Sequence, residues 1–128
     1  PTQAQLWDTS LLPTLLAHGP GCADRRLPEG PEHLELLASE PLDLLHALAA
    51  RGCNRVLWEC GPALAAAALQ QDCVQELAVV MSPKLLGGDL ARTPLGDLGF
   101  TQMDQVMALS DLNAQRLGRD LLLQQRLI

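Results

Sequence analysis

The sequence predicts an α/β fold with a mostly parallel sheet and antiparallel strands at its C-terminal end. Three observations carry that expectation. Short apolar runs alternate with stretches of helical spacing from about residue 11 to residue 81. Gly- and Pro-rich segments punctuate those runs. Two further strand-like runs close the chain across a short connection.

Leu11 to Ala17, with Pro13 near its start, reads as a first strand, ended by Gly19-Pro20-Gly21. Residues 19–31 hold three prolines and three glycines and read as loop. His33 to Leu37 alternates weakly, as a short strand would. Ser39-Glu40-Pro41 signals a helix start, Leu42, Leu45, Leu48 and Ala49 give one apolar face, and Arg51-Gly52 gives the stop. Val56-Leu57-Trp58 reads as a buried strand, and Pro62 opens a helix running to about Gln71, with Asp72 starting the next turn. Leu77 to Met81 is a further apolar strand, ended by Pro83. Residues 82–100, with four glycines and two prolines, form a long loop of the kind that carries function. Gln105–Leu109 and Leu121–Leu127 read as the final pair of strands, joined through Asn113 and Gly118.

The 128 residues suit one ordinary domain. With 48% hydrophobic but only 2% aromatic residues, a core would be built from Leu, Val and Ala. A net charge of −6, with Arg25-Arg26 the one adjacent basic pair, argues against a nucleic-acid surface. No apolar run reaches the length of a membrane span. Cys22, Cys53, Cys60 and Cys73 have neither CxxC nor zinc spacing, so no metal site is expected, and free thiols suit a reducing cytoplasm. His18, His33 and His46 share no ligand spacing and read as surface or satisfied residues.

Asn54 to Ala67 carries the most chemistry. A strand, a tight Gly61-Pro62 turn and a helix leave free N–H groups and a positive dipole end where phosphate can bind. Glu59 falls just beyond the strand's carboxyl end, where ligands of open α/β sheets lie. Neither GxGxxG nor a P-loop is present. Taken alone, such a turn is more often punctuation and Lys84 more often a solvated charge, while Glu59 is equally explained as a solvated carboxylate or a partner for a neighbouring helix.

Three segments together are more specific. Glu59-Cys-Gly-Pro-Ala-Leu64, Glu76-Leu-Ala-Val-Val-Met-Ser-Pro-Lys-Leu-Leu-Gly87 and Gly118-Arg-Asp-Leu-Leu-Leu123 keep the order and spacing of three signatures. They resemble Glu-Gly-Gly-Pro/Ala-x-Leu, Asp-Glu-Leu…Ala-Pro-Lys-Leu-Leu-Gly and Gly-x-Asp-Leu of the C-terminal reductase of bacterial bifunctional riboflavin-biosynthesis deaminase–reductases. The likeness runs from about Pro13 to Leu127. It implies a three-layer fold similar to dihydrofolate reductase, and NADPH-dependent reduction of the ribosyl group of 5-amino-6-(5-phosphoribosylamino)uracil to ribityl.

By position, the resemblance puts Gly61, Pro62, Ala63 and Leu64 at the NADPH phosphates, with Ala17 and His18 lining the nucleotide from the preceding strand end. Glu59 would be the catalytic-cleft carboxylate, bonding a ribose hydroxyl or the nicotinamide side. Cys60 departs from the pattern by replacing its first glycine, and Gln75 by replacing its aspartate. Residues 1–128 are expected to be the C-terminal part of a single reductase domain, without its early strands or a deaminase domain, inactive alone and paired as a homodimer or higher homo-oligomer. Two other readings stay open: a similar reductase with a different substrate, and a non-catalytic assembly module.

Overall fold

The computed structural model describes residues 4–10, 12–22, 29–88 and 93–127. Leu11, Arg25 and Arg26 lie outside them. The contacts divide the chain into two compact units, Pro1–Val56 and Leu57–Ile128. Each mixes helix with sheet, so the α/β class holds.

In the first unit, β1 (Leu15–His18) and β2 (Glu32–Glu35) pair in parallel, Leu15 opposite Glu32 and His18 opposite Glu35. The ladder continues past both ends. Glu32 N–H donates to the Thr14 carbonyl at 2.9 Å, and Leu36 N–H to the His18 carbonyl at 2.8 Å. Gly30, just before β2, has φ +114°, and a Cβ there would stand 2.8 Å from the Trp7 carbonyl oxygen. Only glycine fits that approach.

The first helix, α1 (Pro41–Ala50), starts where the sequence places it, with Pro41 fully buried. Its N-cap is Glu40, whose side chain makes no capping bond. Asp43 in the first turn accepts from the Ala38 N–H instead, at 3.3 Å. At the other end Gly52 adopts φ +86°. Gly52 N–H donates to Ala49 and Cys53 N–H to Leu48, the paired bonds of a Schellman motif. Arg51 also bonds Glu32 at 2.7 Å, an exposed ion pair worth at most about 1 kcal/mol.

The second unit holds α2 (Pro62–Gln70) and three antiparallel strands in the order β3–β5–β4: β3 (Glu76–Met81), β4 (Asn113–Leu117) and β5 (Asp120–Arg126). Composition explains the order. Leu121-Leu122-Leu123 gives β5 apolar residues on both faces, which suits a central strand, whereas Asn-Ala-Gln-Arg-Leu of β4 is exposed throughout and takes an edge. A two-residue Gly118-Arg119 turn joins β4 to β5, and Gly118 at φ +64° supplies the backbone that a II′ hairpin requires.

Three expectations are corrected. The sheet is not mostly parallel: β1–β2 is the one parallel pair described, because β5 runs antiparallel to both of its neighbours. The antiparallel C-terminal pair itself is present. Its first strand is Asn113–Leu117 rather than Gln105–Leu109, since the tight turn pairs the residues immediately before it. Met103–Gln105 forms a single 3-10 turn. Val56-Leu57-Trp58 is not a strand, having no ladder partner in either sheet, and Leu57 is 79% exposed.

α2 repeats the C-terminal motif of α1 without glycine. Asp72 N–H donates to Leu69 and Cys73 N–H to Ala68, with Asp72 at φ +54°. A β-carbon strains that conformation, and a carboxylate sits badly at the negative end of a helix dipole. Asp72→Gly removes both penalties. It should stabilise the chain by about 1 kcal/mol, read as a melting temperature raised by a few degrees; an unchanged or lower value would show that the Asp72 side chain compensates its own strain.

Candidate functional site

Why the chain turns sharply into α2 can be read residue by residue. Gly61 is the N-cap, in extended conformation at φ −72° and ψ 169°, and Pro62 follows at the first helical position. Ala65 donates the first helical hydrogen bond to the Gly61 carbonyl at 3.1 Å. The N–H groups of Ala63 and Leu64 therefore precede the helical ladder, and both residues are exposed. Behind them Ala66 and Ala68 are buried, so the helix is anchored by small side chains.

Two bonds hold this turn. Trp58 Nε1–H donates to the Cys73 carbonyl at 3.4 Å, linking the segment before α2 to the turn after it. Gly96 N–H donates to the Pro62 carbonyl at 3.0 Å, laying part of the 82–100 loop on the first turn of the helix. A Cβ at Gly96 would stand 2.9 Å from the Pro62 oxygen and 3.3 Å from its carbonyl carbon. By contrast, a Cβ at Gly61 would meet nothing within 4 Å. The space in front of the α2 N-terminus is open, and the space behind it is filled.

Glu59 is exposed, three residues before Pro62 is followed by the helix's first free N–H groups. Cys60 is half-buried between them. Thus Glu59, Gly61, Pro62, Ala63 and Leu64 are brought together in one turn of the second unit. Ala17 and His18 belong to the first unit, at the end of β1. Both are half-buried, and His18 Nδ1 lies 3.1 Å from the Gly19 carbonyl. The His18 and His33 rings are 6.0 Å apart on the paired strands. Among the described residues no group of three or more His, Cys, Asp or Glu is placed to hold a metal ion.

Sequence reasoning overlooked Gly96 and the indole of Trp58. Four glycines in residues 82–100 marked the loop as unusual, but only the fold shows which one touches the helix. The cysteines also separate. Cys53 is exposed, Cys22 and Cys60 are half-buried, and Cys73 is buried. Burial, and secondly the charge of Asp72, push the Cys73 thiol above its ordinary value of 9.0.

Gly96→Ala should cost roughly 1–3 kcal/mol, because backbone atoms of Pro62 must move. Gly61→Ala should cost well under 1 kcal/mol. Denaturant titration of the two variants tests the contrast, and equal losses would contradict the docking of Gly96. For the thiols, iodoacetamide at neutral pH should label Cys53 in the native chain and reach Cys73 only after denaturation, as peptide mass spectrometry would record.

Among the described residues, no helix is long and apolar enough to cross a membrane. The family model described as RibD C-terminal domain matches residues 1–123. The riboflavin biosynthesis protein RibD of Synechocystis sp. is 41% identical over 128 aligned residues, covering 94% of this chain and 34% of that protein. The chloroplastic riboflavin biosynthesis proteins PYRR of Arabidopsis thaliana and Zea mays are 32% and 34% identical, covering 95% and 96% of the chain. The chain spans about a third of the length of the first relative and about a fifth of the plant ones. A match of this extent, with the turn and hairpin motifs in place, makes the chain a member of the RibD C-terminal domain family.

Proposed function

We propose that this chain forms part of an NADPH-dependent reductase of riboflavin biosynthesis, acting on 5-amino-6-(5-phosphoribosylamino)uracil and reducing its ribosyl group to ribityl. The observation that supports it most directly is the entrance to α2. Two unpaired N–H groups, a helix dipole and an open Gly61 together suit a dinucleotide phosphate. Family membership supplies the reaction class, since the relatives are named for riboflavin biosynthesis.

In this reading Ala63 and Leu64 hold a phosphate of NADPH through their backbone, and Gly61 and Pro62 shape the approach. When bound, the cofactor supplies hydride. Glu59, on the adjoining residue pair, accepts a hydrogen bond from a ribose hydroxyl or the nicotinamide amide and so fixes orientation. Cys60, where the family pattern has glycine, narrows the approach by one side chain. Gly96 acts indirectly, by keeping the Pro62 carbonyl engaged and the helix end facing outward.

A three-layer arrangement similar to dihydrofolate reductase, a homodimer or higher homo-oligomer, and a cytoplasmic location complete the proposal. Free thiols and the apolar side chains exposed on β3 and its following loop, among them Val80, Met81, Leu85 and Leu86, support the last two. The plant relatives are named as chloroplastic, so an organellar location is the competing reading in a plant host.

Gly61→Val tests the phosphate assignment without straining the backbone, because its φ is ordinary and the surrounding space is empty. NADPH fluorescence titration of the full-length protein should show affinity reduced about tenfold or more, as expected for loss of a charge-assisted contact, with the melting temperature held. Glu59→Gln should lower turnover or affinity while leaving stability unchanged. Wild-type NADPH binding in Gly61→Val would remove the phosphate from this turn.

A further inference from the structure

The entrance to α2 is positioned by more than its own turn. Residues 57–60 pair with neither sheet, yet their exposure alternates as in an extended chain: Leu57 and Glu59 are exposed, Trp58 and Cys60 half-buried. The half-buried face carries the indole. Trp58 Nε1–H donates to the carbonyl of Cys73 at 3.4 Å, across 15 positions of sequence. Among the described residues, no other hydrogen bond ties Leu57, Trp58, Glu59 or Cys60 to the unit.

Geometry turns that one bond into a clamp. α2 has nine residues and is about 13 Å long. From Trp58 to Gly61 an extended chain spans about 10 Å. Gly61 caps the start of the helix and Cys73 follows its end, so the chain runs back along the helix with Glu59 between the two. Cys73 is buried and itself held: its N–H donates to the Ala68 carbonyl at 2.9 Å, and its thiol to the Gln71 carbonyl at 3.4 Å. Successive side chains of an extended segment point to opposite faces. An indole fastened to Cys73 therefore leaves the next side chain, Glu59, directed outward, two residues from the open space at Gly61.

We propose that Trp58 is a positioning residue of this entrance: its indole, anchored on Cys73, fixes the face of the segment from which Glu59 reaches a bound dinucleotide. The inference rests on the assignment of NADPH to the α2 turn. Trp58 touches neither cofactor nor substrate in it and acts through Glu59. The role needs the N–H as well as the ring. A hydrogen bond is directional, whereas apolar packing alone admits several ring orientations. Phenylalanine at this position keeps most of the apolar surface and loses the direction.

Trp58→Phe, Glu59→Gln and the double variant test the role in the full-length protein, by NADPH fluorescence titration and by NADPH oxidation with the pyrimidine substrate. Trp58→Phe should weaken NADPH binding roughly three- to tenfold, the loss of one aligned hydrogen bond, and kcat/KM should fall in parallel. Glu59→Gln should weaken binding by a similar factor. The double variant should lose no more than either single one, because both remove the same contact. A merely structural tryptophan would lower the folded fraction and leave the dissociation constant of the folded molecules as it was. Trp7→Phe, in the first unit, should bind as the wild type does. Wild-type affinity in Trp58→Phe, or losses that multiply in the double variant, would overturn the proposal. If Gly61→Val weakens binding and Trp58→Phe does not, the positioning role falls and the dinucleotide assignment stands; if neither weakens it, both fall.

Discussion

The hydrogen bond from Gly96 to the carbonyl of Pro62 governs the arrangement around α2. A helix N-terminus attracts anions only if its N–H groups face open space, and only if the helix is held from behind. Gly96 does the holding. It fits because it has no side chain, its own nearest neighbours being the backbone of Pro62 and the methyl of Ala66. The indole of Trp58 adds a second tie at the far end of the helix, through Cys73. Ala66 and Ala68 then need to fill little volume. The turn that carries Glu59 and Gly61 is thus positioned by backbone contacts, with few large side chains involved.

That economy is general in the chain. The buried apolar residues described are Leu36, Ala66, Ala68 and Cys73, alongside Pro31 and the fully buried Pro41. Helices of nine and ten residues are marginal by propensity alone. Their ends matter correspondingly more, and both α1 and α2 close with the same pair of reverse-turn bonds. Glycine makes the first closure easy, whereas aspartate makes the second at a cost in backbone strain and helix-dipole energy. The same Asp72 charge contributes to keeping the neighbouring Cys73 thiol protonated.

Where local chemistry decides the structure, the residues announced it. Ser39-Glu40-Pro41 with Arg51-Gly52, and Gly61-Pro62 with Asp72, located both helices within a residue or two. Caps and breakers act over a single turn, so their signal is self-contained. Strands are a different matter. Val56-Leu57-Trp58 has the composition of a central strand, but a strand exists only where a neighbour supplies ladder partners, which lie far off in sequence. Gln105–Leu109 failed for a related reason: its apolar content outweighed, on reading, the polar Asn113–Leu117 that the Gly118 turn pairs with β5. The candidate turn at Glu59–Leu64 was legible because it is local. Gly96 was hidden because its importance comes from a contact with Pro62, thirty-four positions away.

Net charge, −6 for the chain, is the remaining apparent obstacle to the dinucleotide phosphate proposed at α2. It weighs against extended polyanions, whose binding sums many weak attractions over a broad surface. A single phosphate group is a different test. At physiological salt, interactions between exposed charges fade over about 8 Å. Scattered surface carboxylates are therefore mostly screened from a ligand seated at one turn. What a phosphate proposed at α2 would meet is the local set of donors, the Ala63 and Leu64 N–H groups. An acidic chain can hold an anionic ligand where a few backbone donors converge on open space.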